Sequence, residues 1–391
     1  LVHQAAATTL GKTKPGRRSI DKQTWWWNED VQAAVKAKKE AYKRWHQSRV
    51  DADREQYKNF KATAKRAVAA AKSAYYDQLY KELDTPKGEN KVYRLASARH
   101  RSAQDIGQFK LVKDENHRLL RNPRAILSRW NEYFSKICNE EFPHPPIPTA
   151  DPILGPVPQI TVPEVIQAIN KMKNGKATGP DDIPTEVWKI LGWRGAEILA
   201  ALFNKITSTN EIPPVWTTSI TIPIWKGKGD VAVCSNYRPI RLLCHSMKIF
   251  ERILDTRIRK IASPSANQCG FVKGLGTTDA IHAARLLIEK HREKNKPIHV
   301  AFLDLEKAFD RVPHDLIWHA LRSHRIPETY VGWTQLLYRN ASSAVRCAVG
   351  LSPPFTINAG VHQGSALSPL LFAFCIDTAT ASIQGPHPWT L

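Results

Sequence analysis

The chain has 391 residues, of which 42% are apolar, and a net charge of +21. This composition allows a sizeable core and indicates a polyanionic partner, nucleic acid before an anionic membrane. The sequence contains no apolar run of about 18 residues that would span a bilayer, and no signal-peptide pattern opens it. We therefore expect an intracellular protein without a membrane partner, and the nucleus remains open as its compartment.

The six cysteines are predicted to be reduced thiols in or near the core. None belongs to a C-x-x-C pair and no H-E-x-x-H motif occurs, so a zinc site or a disulfide framework is poorly supported. The cysteines are Cys138, Cys234, Cys244, Cys269, Cys347 and Cys375.

Positive charge is concentrated in the first third of the chain. Residues 1–130 contain 29 Lys and Arg residues but only 14 Asp and Glu residues, a net charge of +15. Residues 1–24 include the basic stretch K-T-K-P-G-R-R and few apolar residues, which predicts a disordered basic tail. A nuclear address is one function of such a run, although basic tails are common.

Residues 25–85 contain no proline and predict two long basic helices that form a helical hairpin. Asn28 is suited to cap the first helix, and the acidic residues Glu29 and Asp30 follow in its first turn. Lysine and arginine on the outer faces suit contacts with phosphates. A solvated helical pair whose charges bind nothing specific is the plainer alternative.

A proline-rich stretch separates the hairpin region from a compact domain. Seven prolines between positions 143 and 158 predict a stiff, extended linker at the end of a connecting region, residues 86–158. The compact domain is expected over residues 159–391. Its first helix is predicted from Thr161 and Glu164, which fit a capping box, and should end at Asn174–Gly175.

The remaining patterns predict an α+β fold with a small, partly antiparallel sheet, because helices and strands alternate without a regular βαβ rhythm. Residues 298–304 are apolar on both faces and predict a central strand, whereas Pro223 places the strand at 219–225 on an edge. Two further strands are expected at 343–349 and 355–358. The predicted helices are one that ends near 191, then 196–206, 246–260, 278–294, 314–323 and an apolar one that ends near 383.

Asp304 is the strongest candidate for chemistry. It ends the apolar run 298–304, and a carboxylate at the exit of a buried strand is suited to bind a divalent metal. Asp310 precedes a predicted helix and fits a turn role better. Phe309 follows five residues after Asp304, where its ring could lie beneath a sugar and clash with a 2′-hydroxyl group. Packing of Phe309 against the helix at 314–323 is the plainer alternative.

Three cations follow the strand at 219–225, namely Lys226, Lys228 and Arg238. Cations on a short hairpin can clamp a triphosphate. The G-K-G stretch lacks the spacing of a P-loop, so that motif is rejected. The alternative is an ordinary exposed turn.

Gln363, Gly364 and Ser365 form a loop before an apolar helix. Because glycine has no side chain, Gly364 permits close approach of another backbone, such as a nucleic-acid strand. A helix N-terminus capped by Ser365 is the alternative.

Five motifs occur in order along the chain. They are N-G-K-A-T-G-P-D-D-I-P, then I-P-I-W-K-G-K-G-D with S-N-Y-R-P-I-R-L-L, then N-Q-C-G-F-V-K-G-L-G-T-T-D-A-I, F-L-D-L-E-K-A-F-D and G-V-H-Q-G-S-A-L-S-P-L-L-F. In this order they resemble the reverse transcriptase of a non-LTR (LINE-type) retrotransposon, over roughly residues 20–391. The first resembles the motif ahead of the fingers, the next two the fingers motifs, and the last two motifs A and B. The basic stretch that begins W-W-W-N-E-D-V resembles the segment between the endonuclease and polymerase domains.

The resemblance implies the fingers and a partial palm of a right-hand polymerase, an RNA template, a DNA primer and dNTPs as partners, and Mg²⁺ as cofactor. Two Mg²⁺ ions about 4 Å apart transfer the nucleotidyl group in such enzymes. Asp304 then becomes a metal ligand, helped by the carbonyl group of Leu305. Phe309 becomes the gate that selects the sugar.

The resemblance also assigns substrate-binding residues. Lys226 and Arg238 match the basic residues that hold the incoming triphosphate, and Lys273 is placed to touch template or phosphate. Gln363 and Gly364 match the loop beside the nascent base pair.

The chain departs from the family pattern at Arg241, where a small residue such as serine is expected, and at Val272, where many relatives carry arginine. It ends G-P-H-P-W-T-L, which resembles the run just before the family's acidic pair. We therefore expect a fragment that is truncated before that pair and catalytically incomplete on its own. A non-catalytic nucleic-acid-binding remnant is the alternative, and a ribonucleotide-polymerising enzyme, which Phe309 disfavours, is a weaker one.

Overall fold

The structure, a computed structural model, describes residues 4–5, 8, 27–83, 111–140, 142–266, 268–272 and 274–384. Contacts between residues divide the chain into two compact units, Leu1–Asp105 and Ile106–Leu391. The predicted tail, residues 1–24, lies outside the described residues except for three positions.

The first unit contains the predicted helical hairpin, which is confirmed as α1 (Glu29–Ser48) and α2 (Asp51–Leu83). Asn28 caps α1, since its side-chain oxygen accepts a hydrogen bond from the Val31 amide at 2.9 Å. Arg49 ends α1 in the left-handed conformation, with φ of 56°, and lets the chain reverse.

The second unit is α+β, as predicted. None of its described helices, nor those of the hairpin, is long and apolar enough to cross a bilayer. Its helices are α3 (Pro123–Asn139), α4 (Val162–Asn170), α5 (Thr185–Thr209), α6 (His245–Ile261), α7 (Thr277–Glu293), α8 (Ala308–Arg311), α9 (His314–Ser323), α10 (Glu328–Tyr338) and α11 (Ser368–Thr380). Its strands are β1 (Val112–Lys113), β2 (Leu119–Leu120), β3 (Thr218–Trp225), β4 (Tyr237–Leu242), β5 (Ser342–Cys347) and β6 (Gly350–Thr356).

The larger sheet has four strands in the order β4-β3-β5-β6. β3 pairs antiparallel with β4 and parallel with β5, and β6 pairs antiparallel with β5. The strand predicted at 219–225 is confirmed, but it is not an edge strand along its whole length. Because β5 pairs only with Thr218–Thr221, Pro223 lies beyond the end of β5 and faces Pro239 of β4. On the side without a neighbouring strand no backbone N–H group is needed, so proline is tolerated there.

The central strand predicted at 298–304 is wrong. These residues have no regular structure, and all of them except the half-buried Ile298 are exposed; Phe302 is 90% exposed and Leu303 is 87% exposed. Apolar residues on both faces predict a strand only if neighbouring strands cover it. Among the described residues no strand pairs with this segment.

The helices predicted at 246–260, 278–294 and 314–323 are confirmed within two residues. The capping box of Thr161 and Glu164 is also present, but α4 ends at Asn170, before the predicted Asn174–Gly175. The two helices predicted up to 206 are one element, α5, which is broken at Gly192 with φ of 54°. The last predicted strand begins earlier than expected, at Gly350.

Helix α3 packs against the sheet through β5 and β6. Trp130 and Phe134 of α3 are buried and stack with ring centroids 5.5 Å apart, and Trp130 meets the edge of Tyr237 of β4 at 5.0 Å. Part of the region predicted to be a connecting segment, residues 86–158, therefore shares the core of the second unit.

An ion pair ties α4 to α6. The Arg257 guanidinium donates to both carboxylate oxygens of Glu164 at 2.8 Å and also to the carbonyl groups of Pro158 and Gln159. Partial burial alone raises the pKa of Glu164, but the hydrogen bonds from Arg257 and Thr161 outweigh it and lower the pKa to about 2. The end of the proline-rich segment is thereby attached to the helical core.

Replacing Glu164 by glutamine is expected to lower the free energy of unfolding at pH 7 by about 1–2 kcal/mol, because the ion pair with Arg257 is lost and solvent screens it only in part. Because the folded pKa lies below the ordinary value of 4.5, the stabilisation is present above about pH 4.5 and is lost as the pH falls toward 2. Urea denaturation of wild type and Glu164→Gln at pH 7 and pH 3 measures this difference. Glu211→Gln, at an exposed position, is the control; an equal loss in both variants contradicts the prediction.

Candidate functional site

The candidate site begins at an exposed turn that carries Asp304. Residues 301–306 are exposed, and Asp304 and Leu305 lie among them. Lys307 then adopts the left-handed conformation with φ of 54°, and the short helix α8 follows. This turn presents Asp304 to solvent and directs Asp310, which is 2% exposed, into the protein.

The loop 360–365 lies directly against α8, the helix that follows this turn. The amide of Gly360 donates to the carbonyl of Val312 at 2.8 Å, and the amide of Val361 donates to the carbonyl of Phe309 at 2.7 Å. Gly360 has φ of +81°, and a Cβ atom there would collide with the Asp310 backbone. The motif that carries Asp304 and the motif that carries Gln363 are therefore joined by their backbones.

The same loop is held to strand β4. The amide of Arg241 donates to the carbonyl of Gln363 at 2.7 Å. Gly364 has φ of +115°, and a Cβ atom there would lie 2.5 Å from the Arg241 carbonyl oxygen. The close approach predicted for Gly364 is thus made to a protein strand.

The side chains of the loop also bind inside the protein. Gln363 donates from Nε2 to Asp310 Oδ2 at 2.8 Å. The Ser365 hydroxyl donates to buried Glu251 at 2.8 Å and accepts from the Leu367 amide at 3.0 Å. Ser365 therefore accepts from amides at the start of α11, but the N-cap position is Leu367 and not, as the alternative expected, Ser365.

Phe309 is half-buried in an aromatic cluster. Its ring stacks on Phe372 of α11 with centroids 4.3 Å apart, and the edge of Phe271 lies 5.5 Å away. These contacts are with α11 and the segment before α7, whereas the sequence suggested packing against 314–323. The role of Phe309 as a sugar gate stays a prediction.

Of the cations of the β3–β4 hairpin, Lys226 is near enough to the turn to affect its charge. Lys226 donates from Nζ to the Ser235 carbonyl at 3.0 Å, and Arg238 is exposed on β4. Lys307 and, more weakly, Arg311 and Lys226 lower the pKa of Glu306, which places the Lys226 charge within reach of the segment that carries Asp304. The last predicted cation, Lys273, lies outside the described residues.

No group of three or more His, Cys, Asp or Glu side chains that could hold a metal occurs in the described part of the chain. The exposed carboxylate of Asp304 and neighbouring backbone carbonyl groups are hard oxygen ligands, which suit Mg²⁺. A lone carboxylate binds such an ion weakly, so further oxygens must come from a substrate or another group.

Sequence reasoning missed the buried role of Asp310. Burial raises the pKa of Asp310 to about 6, although the Arg241 charge and the Gln363 hydrogen bond oppose the shift. Arg241 is only 1% exposed. Its position between Ile240 and Leu242 was the available signal, because a buried cation requires an anionic or polar partner.

Residues 225–387 match the family model described as reverse transcriptase (RNA-dependent DNA polymerase). The chain is 29% identical over 238 residues to a probable RNA-directed DNA polymerase from transposon BS of Drosophila melanogaster, a match that covers 60% of this chain and 26% of the relative. It is 30% identical over 201 residues to a Pol polyprotein from type-1 retrotransposable element R2 of Nasonia vitripennis, covering 51% and 19%.

A third relative is the RNA-directed DNA polymerase from mobile element jockey of Drosophila melanogaster, which is 28% identical over 232 residues, or 58% of this chain and 25% of the relative. The chain thus spans between 19% and 26% of the length of these three relatives.

Gly364→Ala is expected to lower the free energy of unfolding by roughly 2 kcal/mol or more, because the new Cβ atom meets the Arg241 carbonyl at a positive φ. Thermal and chemical denaturation measure the loss. Gly155→Ala is the matched control, since a Cβ atom at Gly155 has no neighbour within 4 Å. Similar stability of the two variants contradicts the close approach.

Proposed function

We propose that this chain, whose residues 225–387 belong to the reverse transcriptase family, is part of an RNA-directed DNA polymerase of a non-LTR retrotransposon. In this proposal it binds a DNA primer on an RNA template and positions a dNTP for nucleotidyl transfer. The observation that carries the proposal is the backbone contact of loop 360–365 with Phe309 and Val312, in and just after the helix α8 that follows Asp304. Two motifs that the family uses around the nucleotide meet there.

In the proposed assignment the described part of the second unit forms fingers and a partial palm. β3, β4 and their connecting turn supply the cationic fingers hairpin. The turn after Asp304 and loop 360–365 form the floor on which the nascent base pair lies. The mixed sheet and the helices that cover it are compatible with this division.

Asp304, with the carbonyl group of Leu305, is proposed to hold Mg²⁺ together with phosphate oxygens of the substrate. When bound, the ion neutralises charge on the phosphates and polarises the phosphoryl group that is attacked. The chain's own contribution is to hold this carboxylate at the surface, four residues before the helix α8, whose Asp310 is buried.

Lys226 and Arg238 are proposed to bind the triphosphate, with Lys273 beside the template or a phosphate. The Lys226 ammonium has three donors, of which one is used by the Ser235 carbonyl, so the other two have no hydrogen-bond partner in the described part of the chain and suit a ligand. Arg238 is exposed and can bind phosphate oxygens in a bidentate manner. Phe309 is proposed to select deoxyribose from its place against Phe372.

Asp304→Asn is expected to weaken Mg²⁺-dependent binding of a dNTP to the complex of chain, RNA template and DNA primer by about tenfold or more, because an amide is a poorer ligand for a hard cation. Fluorescence titration of the dNTP with and without Mg²⁺ measures this. Primer extension on the same substrate is the second readout, since any incorporation should depend on Asp304.

Asp315→Asn is the control, because Asp315 is an exposed aspartate on α9 and its loss should leave dNTP affinity unchanged. The metal role of Asp304 is wrong if Asp304→Asn binds Mg²⁺ and dNTP as the wild type does. The polymerase assignment itself is wrong if the wild-type chain binds neither the primed template nor the nucleotide.

A second candidate function is the binding of single-stranded RNA by the hairpin of the first unit. Five exposed cations, spaced by three, four or seven residues, fall on one face of α2; they are Arg54, Lys58, Lys61, Lys65 and Lys72. At 1.5 Å per residue this stripe is about 27 Å long, enough to follow several phosphates. Trp45 and Tyr57 stack beside its first turns with centroids 5.6 Å apart.

Loss of stripe charges should reduce both affinity for single-stranded RNA and its salt dependence. Lys61→Gln with Lys65→Gln is expected to reduce the slope of log K against log salt by about 1.4, or roughly 0.7 for each phosphate released. Filter binding at several salt concentrations measures the slope.

Arg66→Gln with Lys81→Gln removes the same charge from exposed positions off the stripe and should change the slope much less. Equal effects of the two double variants indicate a diffuse attraction and contradict a binding stripe.

A further inference from the structure

We propose that buried Arg241, buried Asp310 and half-buried Gln363 form an anchor that sets the position of the loop 360–365. Gln363 then acts through its side chain as a positioning residue, and Gly364 presents the exposed backbone to the substrate. The consequence for substrate rests on the proposed polymerase function. The anchor itself is a property of this chain's fold and can be measured without nucleic acid.

Gln363 is held at two points. Its carbonyl oxygen accepts from the Arg241 amide of β4 at 2.7 Å, and its side-chain Nε2 donates to Asp310 of α8 at 2.8 Å. Because both its main chain and its side chain are hydrogen-bonded, Gln363 cannot rotate without breaking one of these bonds. Gly364 is the next residue and is exposed. Its position is set because Gln363 is fixed.

Asp310 and Arg241 are opposite charges buried in the same place. Asp310 is 2% exposed and Arg241 is 1% exposed, and the charge of Arg241 opposes the effect of burial on Asp310. Arg241 is further oriented by Cys138 of α3, whose sulfur accepts from Nη2 at 3.1 Å. The anchor thus connects β4, α3, α8 and the loop.

The buried charges are not fully hydrogen-bonded. Arg241 Nη1 and Asp310 Oδ1 have no hydrogen-bond partner among the described residues. Buried polar atoms without partners cost free energy, so a well-packed apolar pair would suit stability better. A cluster that is unfavourable for stability and yet connects two motifs of the proposed site is better explained by positioning than by folding.

The loop also has little room to shift. A Cβ atom at Gly360 would collide with the Asp310 backbone, and one at Gly364 would lie 2.5 Å from the Arg241 carbonyl oxygen. Both glycines therefore contact the two charged residues of the anchor at their main chains. The side-chain bond of Gln363 to Asp310 adds the only direct side-chain link of the anchor to the loop within the described residues.

The anchor should respond to pH through Asp310. The pKa of Asp310 is raised by burial to about 6, so the carboxylate is charged above pH 6 and neutral below it. Since the folded pKa exceeds the ordinary value of 3.8, stability from this group falls as pH rises from about 4 to 6, while its attraction to Arg241 grows. The titratable and charged groups that face Asp310 are Arg241, Cys138, Tyr133, Lys307 and Arg311.

Hydrogen exchange of the loop amides tests the anchor directly. Asp310→Asn and Gln363→Ala should speed exchange of the Gly360 and Val361 amides at least tenfold relative to wild type at pH 7.5, while the chain stays folded. Asp315→Asn and Gln167→Ala change the same residue types at exposed positions and should leave those amides unchanged. Wild-type exchange rates in folded Asp310→Asn overturn the proposal.

The double variant Arg241→Met with Asp310→Asn covers the case in which a single substitution prevents folding, because it removes both charges together. Fast exchange of the loop amides in a folded double variant supports the anchor. Wild-type exchange in that variant overturns it.

The pH profile of dNTP binding to the primed template separates positioning from structural support. The ratio of the wild-type affinity for dNTP to that of Asp310→Asn should be at least five above pH 7. It should approach one below pH 5.5, because asparagine imitates the protonated acid. A ratio that stays constant across this range overturns the positioning role. If the wild type binds no dNTP, the polymerase proposal fails while hydrogen exchange still decides whether the anchor exists.

Discussion

Two backbone hydrogen bonds, from the amides of Gly360 and Val361 to the carbonyls of Val312 and Phe309, join the segments on which the candidate site depends. They require the chain to enter the loop at a positive φ with no side chain, which is why glycine occupies position 360. The motif that carries Asp304 and the loop that carries Gln363 are thereby held together through their main chains.

Charge inside the second unit is used differently from charge on its surface. Arg241 and Asp310 lie in the interior, where their attraction is weakly screened and where the cost of burial restricts them to few arrangements. Glu251 is a second buried carboxylate that binds the loop. It is 2% exposed and accepts hydrogen bonds from the Ser365 hydroxyl and the Ala366 amide. The loop between β6 and α11 is thereby fixed on both flanks by buried carboxylates.

In the proposed function the two units serve different parts of nucleic-acid binding. The hairpin of α1 and α2 carries a stripe of exposed cations, whose attraction to phosphates is long-range, independent of sequence and sensitive to salt. The second unit instead places a few groups within hydrogen-bonding distance of one another, which suits the positioning of a nucleotide. In the proposed polymerase the first unit contributes affinity for RNA, and the second unit positions the nucleotide.

The features that sequence determined by itself are those with local causes. The Asn28 cap, the capping box of Thr161 and Glu164, and the periodicity of α6, α7 and α9 depend on residues within a few positions of each other. The order of the motifs was likewise visible in the sequence, and the family match over residues 225–387 agrees with it.

Only the tertiary structure decided the parallel pairing of β3 with β5, the packing of α3 on the sheet, and the exposure of residues 298–304. It alone showed that Gln363 turns inward to Asp310 and that Arg241 is buried beside them. The contacts among these features join groups more than fifty positions apart in sequence, as with the separation of 53 between Gln363 and Asp310. Local propensity carries no information on such pairs, because their energy arises only when the packed core brings them together and removes water.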